Sequence, residues 1–199
     1  MKFILGKKQN MTQVFNENGK VVPATIVNAG PISAVQMKTK DSDGYEAVVF
    51  GFGQKKEKNV NKAQRKFGNF AHLKEYRPKA GDAVAELGKI LDVSIFSEGD
   101  VVEVSGTSKG KGFQGVVKRH GFKGGQRTHG QRHSEREPGT IGGGLRTRVP
   151  KGMRMAGRMG SDRVTVRNLK IVKIDKDKNQ ILISGAIPGR RGTLLEIRG

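Results

Sequence analysis

Cysteine is absent from the 199 residues, so neither a disulfide framework nor a thiolate metal site is available. Aromatic residues make up only 6% of the chain, which argues against a platform of stacked rings for single-stranded nucleic acid. Long apolar runs are missing too. The opening MKFILGKKQN holds a four-residue apolar run flanked by charge, too short for the hydrophobic region of a signal peptide. No stretch approaches the length of a membrane span. These absences set the expectation of a soluble, cytoplasmic protein with no membrane partner.

Acidic residues nearly vanish from one stretch, Gly106 to Gly160. There Lys109, Lys111, Lys118, Arg119, Lys123, Arg127, Arg132, Arg136, Arg146, Arg148, Lys151, Arg154 and Arg158 face only Glu135 and Glu137, a local charge of +11. The whole chain carries +20, of which residues 1–105 hold +4 and residues 161–199 hold +5. Fifteen of the fifty-five residues in the stretch are glycine. Its apolar residues are few and show no sustained period, so it cannot bury enough surface to offset its own ordering entropy. Such a segment is expected to fold against a polyanion. Glycine lets the backbone approach phosphates closely, lysine and arginine neutralise them, and arginine adds bidentate contacts and stacking. With so few rings, folded RNA recognised by shape is the expected partner.

Motifs for other chemistry fail on inspection. Gly110-Lys111-Gly112-Phe113-Gln114-Gly115 has the spacing GxGxxG, but glycine and arginine follow it where a dinucleotide site needs a βαβ unit and an acidic residue. A phosphate-binding P-loop fails by spacing and by Gly112 in place of Ser or Thr. His129 and His133 stand four apart, yet Gly130 lies between them, no carboxylate is placed as a third ligand, and arginines surround them. Stacking on bases or bonding phosphates suits these histidines better. Ser134 and Glu135 adjoin His133 without forming a triad. No enzyme, cofactor, metal or small-molecule substrate is expected.

The flanking residues read as β structure. Thr12–Phe15, Val21–Asn28, Ser33–Thr39 and Tyr45–Phe52 alternate with turns at Asn18-Gly19, Gly30-Pro31 and Asp41–Gly44. Pro23 suggests an edge position for its strand. Residues 54–80 form a basic excursion, with a short helix predicted over Asn61–Phe67 and ended by Gly68. Strands are predicted at Leu73–Arg77, Lys89–Phe96, Val101–Ser105, Arg163–Ile174, Gln180–Ile187 and Thr193–Ile197. Short strands at roughly ten-residue spacing point to a barrel or sandwich. The expected organisation is one β domain built from 1–105 and 161–199, with 106–160 as an arm inserted between two of its strands.

The arm sequence GTSKGKGFQGVVKRHGFKGGQRTHGQ, followed by EPGTIGGG and KGMRMAGRMGSDRVTVRNLKIVKID, strongly resembles the bacterial form of the universal ribosomal protein L three family. The start LGKKQNMTQVFNENGKVVPATIVNAGP resembles it as well. The resemblance implies a mainly β fold, a six-stranded closed barrel like that of translation factors, carrying a long irregular extension. It implies direct binding of large-subunit ribosomal RNA, a part in early subunit assembly, and neighbours among the large-subunit proteins, by analogy L fourteen and L nineteen. RNA contacts carried over are Lys109, Lys111, Lys118, Arg119, Thr128, His129, Arg154 and Arg158. The extension tip, expected near the peptidyl transferase centre, falls at Ile141, Gly142, Gly143, Gly144 and Leu145. The chain departs from the family at Asn10, at Arg136-Glu137, and at Gly143-Gly144, where some relatives carry a methylated glutamine. A nucleoid-type basic DNA-binding protein is the rival reading. It is disfavoured because the charge lies on one irregular insertion and not on a groove-fitting helix or ribbon.

Overall fold

The computed structural model describes residues 2–16, 18–78, 86–144 and 147–199. In chain order the elements are β1 (Phe3–Phe15), β2 (Val21–Ala29), β3 (Ile32–Lys38), the single turn α1 (Lys40–Asp43) and β4 (Ala47–Gln54). Two 3-10 turns, Glu57–Asn59 and Lys62–Phe67, precede β5 (Phe70–Tyr76) and β6 (Ile90–Leu91). A 3-10 turn at Val93–Ile95 leads to β7 (Val101–Thr107), β8 (Phe113–Gln114) and the helix α2 (Val116–His120). The chain ends with β9 (Gly157–Arg158), β10 (Arg163–Asp175), β11 (Gln180–Ser184) and β12 (Leu194–Arg198). It divides into two compact units, residues 1–107 with 163–199, and residues 108–162.

The fold is mainly β, and six antiparallel strands close a barrel in the order β1-β12-β7-β10-β11-β2. The remaining long strands do not join it. β3, β4, β5 and β6 form a second sheet in the order β5-β4-β3-β6, so the flanking sequence builds two sheets where one closed sheet was expected. Phe3 of the barrel packs its ring 4.6 Å from Tyr76 and 5.5 Å from Phe50, both in the second sheet. The barrel interior and this interface share one apolar core, with Phe3, Ile4, Leu5, Val27, Phe50, Ile181, Ile183, Leu195 and Ile197 fully enclosed. Burying such side chains is worth about 1.5–3 kcal/mol each.

That double cover explains why β1 begins nine residues before the predicted Thr12. Phe3, Ile4 and Leu5 are buried in succession, so they read as an apolar run and lack the alternation that marks a strand with one wet face. Three other boundaries differ for local reasons. The Asp41–Gly44 turn is one helical turn, Lys40–Asp43, ended by Gly44 in the left-handed conformation. The strand predicted at Lys89–Phe96 stops at Leu91, because the Asp92 carboxylate accepts from the Ser94 N–H at 2.9 Å and starts a 3-10 turn. β11 stops at Ser184, where Gly185 turns away and donates its N–H to the Pro23 carbonyl at 2.7 Å. Pro23 itself lies in a strand paired on both sides and not at an edge. It sits one residue beyond the β11 ladder, which ends at Ala24 opposite Ser184.

β7 and β10 are neighbours in the barrel, with Thr107 opposite Arg163. The chain from 108 to 162 therefore leaves and re-enters between adjacent strands.

Candidate nucleic-acid interface

The 108–162 unit begins as two chain segments held side by side. Ser108 donates its N–H to the Asp162 carbonyl at 2.8 Å, Lys111 to Met159 at 2.9 Å, and Met159 to Gly112 at 3.0 Å. β8 and β9 continue the pairing, with Phe113 opposite Arg158 and Gln114 opposite Gly157. The segments meet so closely that a Cβ on Gly160, whose φ is +80°, would run into the Lys109 carbonyl. One on Gly110 would lie 2.9 Å from the Ser161 hydroxyl. Gly110 of the GxGxxG run thus serves chain packing, and the helix after Gly115 has only five residues.

Val116, 2% exposed, is the single buried side chain among the described residues of this unit. It anchors α2, whose last turn carries Lys118, Arg119 and His120 near carbonyls that favour positive charge. Gly121 ends the helix in the left-handed conformation. Arg119 Nη1 donates to the Met155 carbonyl at 2.7 Å, and His120 Nε2 lies 3.1 Å from the same oxygen. A Cβ on Gly157 would sit 2.8 Å from Arg119 Nη1, so glycine there leaves room for the guanidinium. Further out, Gly125 donates to the Glu135 carbonyl at 2.9 Å, and Arg127 Nε meets Glu135 Oε1 at 2.7 Å. Glu135, one of the two carboxylates of the arm, organises this loop.

The expected contact residues fall throughout the unit. Lys109 and Lys111 stand exposed on the outgoing segment, and Arg158 on the returning one. Lys118 is exposed on α2, while Arg119 is half-buried against Met155. Lys123, Arg127, Thr128, His129, Arg132, His133 and Arg136 are exposed, with His129 and Gly130 both at positive φ in a tight turn. Arg148, Lys151 and Arg154 are exposed on the way back. Ile141, Gly142 and Gly143 line an open depression of about 320 Å³ with Thr140, Pro150 and Met153. Gly144 is exposed beside it, and Thr140 Oγ1 bonds the Gly142 carbonyl at 2.7 Å. Leu145 and Arg146 lie outside the described residues. Of the basic side chains described here, only Arg127 forms an ion pair among the described residues.

A basic, glycine-rich arm rooted between adjacent strands of a closed barrel is the combination that comparison with known proteins bears on. The sequence profile of the family described as ribosomal protein L3 matches residues 46–186, which takes in β4 to β11 and with them the whole arm. The chain belongs to the ribosomal protein L3 family. The large ribosomal subunit protein uL3 of Finegoldia magna is 46% identical over 206 residues, covering 100% of this chain and 97% of its own length. The protein of the same name from Herpetosiphon aurantiacus is 48% identical over 204 residues, covering 98% and 94%. That of Desulfitobacterium hafniense is 45% identical over 205 residues, covering 99% and 95%. Similarity to these ribosomal protein L3 family members thus runs through barrel, second sheet and arm together.

Proposed function

We propose that this chain is a structural constituent of the large ribosomal subunit in the cytoplasm. It binds large-subunit ribosomal RNA directly through residues 106–160, takes part in early subunit assembly, and carries its tip, Ile141–Leu145, towards the peptidyl transferase centre. Residues 1–105 and 161–199 form the domain that holds this arm and meets neighbouring large-subunit proteins. The subunit's chemistry belongs to the RNA, and the protein buttresses it.

The observation that supports this reading most is charge without partners. Apart from Arg127, the arm's described lysines and arginines meet no carboxylate among the described residues. Their backbone is nevertheless held by the paired segments at Ser108–Gln114 and Gly157–Asp162. Cations fixed on an irregular backbone bind phosphates with release of counterions, and that release supplies affinity without base-specific contacts.

Sedimentation of a cell lysate through sucrose, with detection of this chain at low and moderate salt, tests the proposal. The expected result is co-migration with the large subunit that resists the salt wash. A chain that stays at the top, or follows DNA and strips off at modest salt, would overturn it in favour of a peripheral DNA-binding protein.

A further inference from the structure

The loop between β4 and β5 carries a second concentration of charge that the arm does not explain. Lys55, Lys56, Lys58, Lys62, Arg65 and Lys66 stand against Glu57 alone, and all six are exposed. The loop is closed and ordered. Lys55 donates its N–H to the Asn69 carbonyl at 2.9 Å across its base, and its two 3-10 turns are completed by Val60 N–H to Glu57 at 3.0 Å and Gly68 N–H to Arg65 at 3.1 Å. Val60, 4% exposed, pins the middle of the loop to the protein.

Several cations elsewhere on the barrel unit meet carboxylates, among them Lys2 with Asp100, Lys38 with Glu75 and Arg167 with Glu103. None of the loop's six does so among the described residues. The positive field extends past the loop. His72 of β5 is flanked by Lys7, Lys55 and Lys74, and burial together with these charges holds its imidazole below the ordinary value. Lys74 in turn reaches Glu196 at 3.2 Å, the carboxylate that also pairs with Arg163, the first residue of β10. Like charges gathered this way repel unless an anion lies over them.

We infer that the Lys55–Asn69 loop, with Lys7 and Lys74 beside it, is a second ribosomal RNA contact that grips the phosphate backbone of a helical segment. The inference rests on the proposed RNA-binding role of the chain. RNA fits better than a protein partner because none of the large apolar side chains exposed on the molecule lies between 55 and 69, so the loop lacks the apolar centre of a protein interface. A helical segment fits better than a single strand because the loop holds one aromatic ring, Phe67, with the Lys66 ammonium 4.7 Å from its centre, too few rings for a stacking platform.

The absence of cysteine makes a direct test available, since one introduced thiol is unique. An iron chelate tethered to Gln64→Cys, on the second 3-10 turn, is compared with one at Gln131→Cys in the arm, each in the full chain assembled into large subunits. Backbone cleavage of ribosomal RNA from Gln64→Cys is the expected result. Cleavage from the arm probe with none from Gln64→Cys overturns the loop contact while leaving the arm reading intact, and so does crosslinking of the Gln64→Cys thiol to a neighbouring protein. Failure of both variants, and of the unmodified chain, to enter the subunit overturns both readings. As a second measurement, Lys58, Lys62, Arg65 and Lys66 changed together to Ala should flatten the salt dependence of ribosomal RNA binding by about two to four in log–log slope. An unchanged slope overturns the contact.

Discussion

The Arg119 guanidinium donates a 2.7 Å hydrogen bond to the backbone carbonyl of Met155, joining the outgoing and returning segments of the arm. An arginine expected to hold phosphate therefore spends at least one of its donors inside the protein. Its remaining donors stay free to face outward, so the same residue can set the arm's shape and meet RNA.

Arg119→Ala should loosen the arm before it affects the barrel. A charged donor bonded to a carbonyl contributes about 1–2 kcal/mol, so cleavage within 108–162 by a dilute protease should rise roughly tenfold. Gly157→Ala should do the same by displacing the guanidinium, whereas the melting temperature of the barrel should not move. Unchanged cleavage in both variants would show that the Met155 contact holds nothing.

Val116 is the one buried side chain among the arm's described residues, so the RNA-free protein should be cut first between 106 and 160. The two fragments should then stay together, because β7 and β12 remain paired with each other and β7 with β10 across the cut. Limited proteolysis followed by native size exclusion reads both outcomes. An arm that resists protease without RNA would contradict the first, and separating fragments the second.

Glu196 is 7% exposed and faces Arg163, Lys74 at 3.2 Å and Arg198 at 3.6 Å. Glu196→Gln leaves those cations facing one another and should cost about 1–3 kcal/mol in urea denaturation. Glu103 pairs with the exposed Arg167 at 3.8 Å, and Glu103→Gln should cost less than about 0.5 kcal/mol. Equal losses would mean that burial of Glu196 does not decide the effect.

Acid should weaken the fold in two steps. Burial, then the charges of Lys7, Lys55 and Lys74, hold the His72 imidazole below its ordinary 6.5. The unfolded chain then takes up this proton first, so stability falls as pH drops below about 6.5. The Lys38 ammonium holds Glu75 below the usual carboxylate range, Lys2 does so for Asp100, and Ser94 for Asp92. Their contribution is present above about pH 4 and is lost as pH falls through the folded values. Urea midpoints measured from pH 8 to pH 3 should show both steps, and His72→Gln should remove only the upper one. A flat profile between pH 7 and 5 in the unaltered chain would rule out the His72 step.

Much of the fold was legible because its signals are local. Asn18-Gly19 turns β1 into β2, Gly68 ends the Lys62–Phe67 turn, and alternation through Arg163–Ile174 marks β10. What was missed depended on distant partners. Phe3–Leu5 looked like a short apolar run because both of its faces are covered, one by the barrel interior and one by the second sheet. In the arm, the cations were plain in the sequence, but the Met155 carbonyl that receives Arg119 and His120 carries no side-chain signal at all.

The sequence by itself determined where the charge lies and that the residues between Gly106 and Gly160 could not build a core, since composition sets both directly. Only the tertiary structure decided which strands closed the barrel and which formed the second sheet, and which arm cations were bound internally and which were left facing out. Those outcomes rest on pairings between residues far apart in the chain, such as Phe3 with Tyr76 and Arg119 with Met155. No local pattern encodes such pairings, because the energy that selects them exists only once the chain has brought the partners together.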